Sequence, residues 1–123
     1  MTVRDVMTSA VFVHCGFGLL LAVFSLPLAL RRVPMNRYYG IRIPEAFSSP
    51  ACWLDINAYG GRLFFVYGVA LVAFGILARG LAPPRDSLWS PVFTVGPLLV
   101  ALGLLPFVRS YARRRAREGS DRR

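Results

Sequence analysis

The residues that could do chemistry concentrate in one polar stretch, Asn36 to Arg62, with the sequence NRYYGIRIPEAFSSPACWLDINAYGGR. Within it, Arg42 stands between Gly40 and Pro44. A guanidinium offers a planar fork of donors that suits a carboxylate, a phosphate headgroup or the C-terminus of a peptide. The alternative is an arginine that lies on the lipid surface and fixes topology. This stretch is therefore the first candidate for a binding surface.

Four other side chains of the stretch each have two possible uses. Trp53 could line a ligand pocket or anchor the chain at a membrane interface. Asn57 could hold the loop folded by bonding to the backbone or to Arg42, and this structural role is the preferred interpretation. Glu45 and Asp55 could be paired carboxylates for acid–base chemistry. They stand ten residues apart in an irregular stretch, which favours salt bridges to nearby arginines instead.

Outside the stretch, His14 and Cys15 lie inside an apolar run. Polar side chains at membrane depth are functional candidates, but neighbouring residues diverge on a helix, so we expect no metal or catalytic pair there. Cys15 and Cys52 are expected at different depths and therefore unpaired. The sequence contains no phosphate-binding loop, zinc motif or nucleophile–base set. We predict no catalytic residue, no metal and no cofactor, and a protein that is not an enzyme.

The elements that must position these residues are predicted by three charge-free blocks. Of the 123 residues 55% are hydrophobic, and the mean hydropathy is +0.51. A soluble chain of this size could not bury that much continuous apolar surface. The prediction is one all-α membrane domain, 1–123, with three transmembrane helices near 9–30, 63–82 and 88–108, a folded cytoplasmic loop at 31–62, and a basic cytoplasmic tail at 109–123. A signal peptide is the competing interpretation of the first block.

The loop is expected to contain a helix of its own. Ser49 can cap it, with Pro50 at the first helical position. One interpretation is a short helix at the membrane surface, and the alternative is the start of the second span, broken at Gly60 and Gly61.

Glycines and prolines punctuate the predicted spans. Gly68 and Gly75 lie seven apart in the second span, but large residues separate them, so the match to a small-residue interface is weak. Pro97 and Pro106 are expected to bend the third span.

The charge indicates contact with a membrane rather than with nucleic acid. The net charge is +9, all 15 basic residues are arginines, and most flank apolar blocks, as expected for topology signals and anionic lipid headgroups. The first loop carries five arginines and the tail seven, against one at the start and two in the second loop. We therefore predict an N-terminus outside, and a first loop and C-terminus in the cytoplasm.

The polar stretch also carries a recognisable pattern. Its members are Asn36-Arg37, Gly40-Ile41-Arg42-Ile43-Pro44, Ser48, Trp53, Asn57 and Gly60-Gly61. This pattern resembles the SdpI family of small bacterial membrane proteins, over about Leu30 to Gly75. Ile43 stands where a threonine is common in that family, and Asn57 stands where a histidine is frequent.

The resemblance implies a multi-pass protein of the bacterial inner membrane. It further implies immunity to, or sensing of, a membrane-active toxin peptide, with membrane sequestration of a transcriptional repressor as a signalling role. The loop would fold back on the bundle, with Arg42, Trp53 and Asn57 as its contact face. The alternative is a small transporter or channel subunit acting as a homo-oligomer, suggested by the glycines and prolines of the last two spans.

Overall fold

The structure is a computed structural model that describes the backbone of residues 3–122 and the side chains of residues 9–122. It is helical throughout, and no strand occurs in the described residues. The α-helices are α1 (Val3–Ala29), α2 (Pro50–Leu77), α3 (Trp89–Val100) and α4 (Leu105–Ser120), with 3₁₀ helices at Pro44–Ser48, Ala78–Leu81 and Ala101–Leu104. The side chains of Arg4 and Asp5 at the polar start, and Arg123 of the tail, lie outside the described part.

Three helical stretches are long and apolar enough to cross a membrane, which confirms the predicted fold class. They are Ser9–Ala29, Pro50–Leu81 and Trp89–Ser120. The second begins at Pro50 rather than near residue 63, and the third continues into the segment predicted as a tail. The polar loop between the first two helices is correspondingly shorter, at residues 30–49.

The start of α2 follows the predicted capping chemistry. The Ser49 hydroxyl accepts a hydrogen bond from the Cys52 amide at 3.0 Å, and Pro50 fills the first turn, where its missing N–H costs nothing. The helix then runs unbroken through Gly60 and Gly61. It is therefore the start of the second apolar helix and not a separate short helix, and the break that the second interpretation placed at the two glycines is wrong. The two glycines serve close contact instead, because a Cβ on Gly61 would lie 2.6 Å from the backbone nitrogen of Ala29.

Antiparallel contact between α1 and α2 rests on glycines spaced seven apart. Gly61 faces the last turn of α1. A Cβ on Gly68 would lie 2.6 Å from the Gly18 carbonyl oxygen, and one on Gly75 would lie 2.8 Å from the His14 Cβ. The sequence predicted only a weak small-residue interface, because large residues separate Gly68 from Gly75. A seven-residue spacing keeps small residues on one face just as well and lets the backbones touch.

A short 3₁₀ segment before Pro106 interrupts the third apolar helix. Pro106 cannot donate to the carbonyl four residues earlier, and residues Ala101–Leu104 adopt 3₁₀ geometry before α4 begins. Pro97 lies inside α3, which continues past it to Val100. The Tyr67 hydroxyl of α2 donates to the Pro97 carbonyl oxygen and so ties the two helices together.

The largest connected core lies beyond the end of α1. Since Gly61 is level with Ala29, the first three turns of α2 project past α1 by about 16 Å. We use the name head for the unit formed by those turns (50–60), the loop (30–49) and α4 residues 108–120. Its buried core comprises Ala46, Cys52, Trp53, Ile56, Val108 and Ala112. The segment predicted as a basic tail is helical over residues 109–120, and α4 supplies one wall of this core.

Candidate functional site in the head

Two side chains on adjacent turns of α2 hold the loop in place. Trp53 is fully buried, and its indole Nε1 donates to the Val33 carbonyl oxygen at 2.9 Å. Asn57 is 1% exposed, and its Oδ1 accepts from the Ile41 amide at 2.6 Å while its Nδ2 donates to the Trp53 carbonyl oxygen at 3.0 Å. Asn57 thus makes the expected bond to the backbone, and it makes none to Arg42.

Gly40 permits this arrangement. Its φ of +124° is a backbone conformation that side-chain-bearing residues rarely adopt. A Cβ there would lie 2.8 Å from the Asn57 Oδ1 and 2.9 Å from the Trp53 ring. We use the name lock for these three residues, Gly40, Trp53 and Asn57, because they pack directly against one another.

Asn36 shapes the turn that leads into the lock. Its Oδ1 accepts from the backbone amides of Tyr38 and Tyr39 at 2.8 and 2.7 Å. Its Nδ2 donates to the carbonyl oxygens of Pro34 and Tyr39 at 2.8 and 3.1 Å. An asparagine that satisfies its own turn in this way is a local substitute for secondary structure. The Tyr39 hydroxyl then donates to the Phe24 carbonyl oxygen, which carries the loop back along α1.

Asp55 joins three elements of the head. Its Oδ1 pairs with Arg31 Nη1 at 2.6 Å, just past α1, and its Oδ2 pairs with Arg115 Nε at 2.7 Å on α4. Burial alone would raise the pKa of the Asp55 carboxyl, but the hydrogen bonds and charges of both guanidinium groups outweigh burial and hold the pKa below its ordinary value. The predicted salt-bridge role is confirmed for Asp55.

For Glu45 the salt-bridge prediction is wrong. Glu45 makes no ion pair with any described residue, and its Oε2 is buried without a hydrogen-bond partner. It lies in the first turn of the 3₁₀ helix Pro44–Ser48. The guanidinium groups of Arg31 and Arg115 instead pair with Asp55.

The remaining residues of the predicted motif lie outside the lock. Arg42 and Pro44 are exposed, and within residues 9–122 Arg42 makes no hydrogen bond or ion pair. Ser48 is exposed and donates to the Glu45 carbonyl oxygen at 2.8 Å, and Gly61 contacts α1. The predicted contact face is therefore wrong in part: Trp53 and Asn57 face inward, and only Arg42 remains available to a ligand.

An apolar groove runs beside the lock, where the loop returns along α1. Its volume is about 540 Å³. It is lined by Phe17, Leu20, Leu21, Phe24, Ser25, Leu28, Tyr38, Tyr39, Gly40, Ile41 and Phe64. Tyr38, 91% exposed, stands at its head end. We call it the α1 groove; it opens from the head onto the apolar part of α1.

A second cavity lies at the far end of the head, and sequence reasoning missed it. It has a volume of about 390 Å³ and is lined by residues of the α2 start and of α4, among them Cys52, Arg115 and Arg122. The side chains of Ser48 and Ser49 lower the pKa of the Cys52 thiol, and the charge of Arg115 adds to their effect against the opposing effect of burial. Only the fold could reveal this cavity, because α4 is more than fifty residues away in sequence.

His14 is a contact between helices. It is 1% exposed, its Nε2 lies 3.0 Å from the Thr94 carbonyl oxygen, and its ring packs against Phe74 and Phe93. Cys15 turns away to the Val72 carbonyl oxygen, and both cysteines are free, as predicted. Among the described residues, no three histidine, cysteine or acidic side chains come together as metal ligands would.

These features define an all-helical membrane protein with a folded polar head. A family model described as the SdpI/YfhL protein family matches residues 32–110, which cover the loop, α2, α3 and the beginning of α4. The chain belongs to the SdpI/YfhL family. No curated protein and no solved structure matches it.

Proposed function

We propose that this chain protects a membrane against, or senses, a membrane-active peptide, and that it acts by binding and not as an enzyme. The observation that carries the proposal is the α1 groove, an apolar channel of about 540 Å³ whose lining ends at Ile41, the residue before the exposed Arg42. An amphipathic peptide needs both an apolar surface and a polar partner at the membrane boundary. The groove supplies the apolar surface, and Arg42 supplies the polar partner.

The peptide would bind with its apolar side chains in the α1 groove and its polar end on the head. Ile41, which follows Gly40, is fixed by Asn57 and lines the groove, and the next residue, Arg42, is free to bind a carboxylate, including a peptide C-terminus. Because the lock already fixes this rim, little conformational entropy is lost when a ligand binds.

For orientation we propose a bacterial inner membrane with the head in the cytoplasm and the N-terminus outside. The support is the arginine distribution together with α4, which brings the arginine-rich C-terminal segment into the head. A reporter fused to the C-terminus should be active only in the cytoplasm, and an externally active fusion would refute the orientation.

Signalling through a transcriptional repressor is the second role that we propose, at the head. Four exposed arginines of α4 have no hydrogen bond or ion pair within the described residues, and they suit an acidic protein surface. These are Arg109, Arg113, Arg114 and Arg117. A transporter or channel, by contrast, would require several copies to enclose a path, because backbone contact between α1 and α2 leaves no space there.

The test is protection of a peptide-sensitive host that expresses the chain. We expect the parent to raise survival and Arg42→Ala to lower it, while Arg79→Ala, an exposed arginine at the opposite end of α2, should behave as the parent. Expression levels in the membrane fraction must match. Absence of protection against every peptide tried, or equal protection by Arg42→Ala and the parent, would refute the proposal.

A further inference from the structure

A second apolar groove lies between α2 and the third apolar helix. Its volume is about 520 Å³, and it is lined by Tyr59, Arg62, Leu63, Val66, Tyr67, Ala70 and Leu104. The order along α2 is significant. A tyrosine and an arginine stand at the head end, and mostly apolar side chains follow toward the middle of the helix. We call it the α2 groove.

The depth of this groove can be read from its neighbours. Gly61 contacts Ala29, the last residue of α1, and Arg31 and Arg32 follow after Leu30. This is the level at which an apolar helix gives way to charge, and hence the level of lipid headgroups. Arg62 lies one residue on from Gly61, so its guanidinium is at headgroup level.

The apolar part of the groove descends from Arg62 into the membrane. Leu63, Val66 and Ala70 follow at spacings of three and four and therefore share one face of α2. Leu104 closes the groove from the opposite side, at the end of the 3₁₀ segment. An extended hydrocarbon chain fits such a channel, since it needs apolar contact along its length and no hydrogen bonds.

The head end of the groove is rigid and positively charged. Tyr59 stacks on Tyr111 of α4 with ring centroids 4.2 Å apart and planes 4° from parallel. Arg62 is exposed and makes no hydrogen bond or ion pair with any other residue that the structure describes. An unpaired guanidinium above an apolar channel at headgroup level complements an anionic headgroup attached to an acyl chain.

We propose that the α2 groove is a binding site for one anionic phospholipid, with its phosphate on Arg62 and an acyl chain along Leu63, Val66 and Ala70. The site is separate from the α1 groove and does not depend on the proposed response to a peptide. A peptide in this groove is the rival occupant, but the polar group farther along the channel, the Tyr67 hydroxyl, already donates to the Pro97 carbonyl oxygen and does not supply the hydrogen bonds that a peptide backbone would require.

The experiment is native mass spectrometry of the full chain released from detergent, titrated separately with phosphatidylglycerol and phosphatidylcholine of identical acyl chains. We expect the first phosphatidylglycerol to be retained about fivefold better than phosphatidylcholine, as one basic side chain near an anionic headgroup predicts. Arg62→Gln should bring the two lipids to parity. The matched control Arg79→Gln, at the other end of α2, should keep the parent's preference.

A second variant separates the apolar part of the site from its charge. Ala70→Trp fills the channel from an exposed position, and we expect it to reduce retention of both lipids without changing helicity. Equal retention of both lipids by the parent, an unchanged preference in Arg62→Gln, or an equal loss in Arg79→Gln would overturn the proposal. Displacement of the lipid by millimolar inorganic phosphate or by an apolar peptide would overturn it as well.

Discussion

Replacing Gly40 with alanine should destabilise the packing of the loop against α2 in the head. The φ of +124° costs an alanine about 1–3 kcal/mol of strain. The new Cβ would also lie 2.8 Å from the Asn57 Oδ1 and must displace it. That oxygen accepts from the Ile41 amide at 2.6 Å, and breaking the bond leaves buried polar groups unpaired at a further cost of about 1–3 kcal/mol. We expect Gly40→Ala to lower the free energy of unfolding by about 2–6 kcal/mol.

The assay follows Trp53, which lies inside the lock. In a background in which Trp89 is replaced by phenylalanine, Trp53 is the remaining tryptophan, and its emission reports the head during titration of a mild-detergent sample with a denaturing detergent. The matched control is Gly96→Ala in α3, where an added Cβ meets nothing within 4 Å. A Gly40→Ala transition within about 0.5 kcal/mol of the parent would refute the reasoning.

Three other expectations follow from the same contacts. Gly68→Ala places a Cβ 2.6 Å from the backbone of α1 and should destabilise the chain by about 1–3 kcal/mol. The control is Gly16→Ala, whose added Cβ meets nothing within 4 Å. Equal melting temperatures of the two variants would contradict the close-contact argument. Because its folded-state pKa is lowered, Asp55 stabilises the head above its ordinary pKa and loses this effect as the pH falls through the lowered value. The protection of the α4 amides against hydrogen exchange, after correction for the intrinsic exchange rate at each pH, should therefore fall on acidification, and Asp55→Asn should abolish that dependence. Trp53→Phe leaves the Val33 carbonyl oxygen unpaired and should lower the free energy of unfolding by about 1 kcal/mol. Proteolysis of the loop should therefore be faster, and an unchanged rate of proteolysis would argue against a stabilising role of the Trp53–Val33 hydrogen bond.

Hydropathy and capping chemistry were sufficient to predict the helices. Charge-free blocks gave the three apolar helices, and Ser49 followed by Pro50 marked the start of α2 because both residues act locally. The break at Gly60 and Gly61 was wrong for a physical reason. Glycine weakens a helix by about 1 kcal/mol, but close contact with α1 and the loop more than offsets that cost, and contact is invisible in one sequence.

The head was harder to predict because it is assembled from distant segments. Asp55 meets Arg115 sixty residues away, and Ala112 is fully buried within the segment that was predicted as a basic tail. Arginine counting describes which side of a membrane a segment occupies and does not reveal whether that segment packs. The lock was visible in part, since the preferred interpretation of Asn57 was a bond to the backbone.

The burial of two residues of the loop pattern indicates which residues of the head could contact a ligand. Trp53 and Asn57 are the most distinctive residues of the pattern, yet they are buried and satisfied, so their identities are explained by folding. A position that packs inside the head cannot discriminate between ligands except by moving the rim that it supports. Under the binding role that we propose, differences in ligand between family members should map to the exposed residues on either side of Gly40, here Tyr38 and Arg42. Exchanging those two residues between relatives should transfer specificity, whereas exchanging Trp53 or Asn57 should change stability alone.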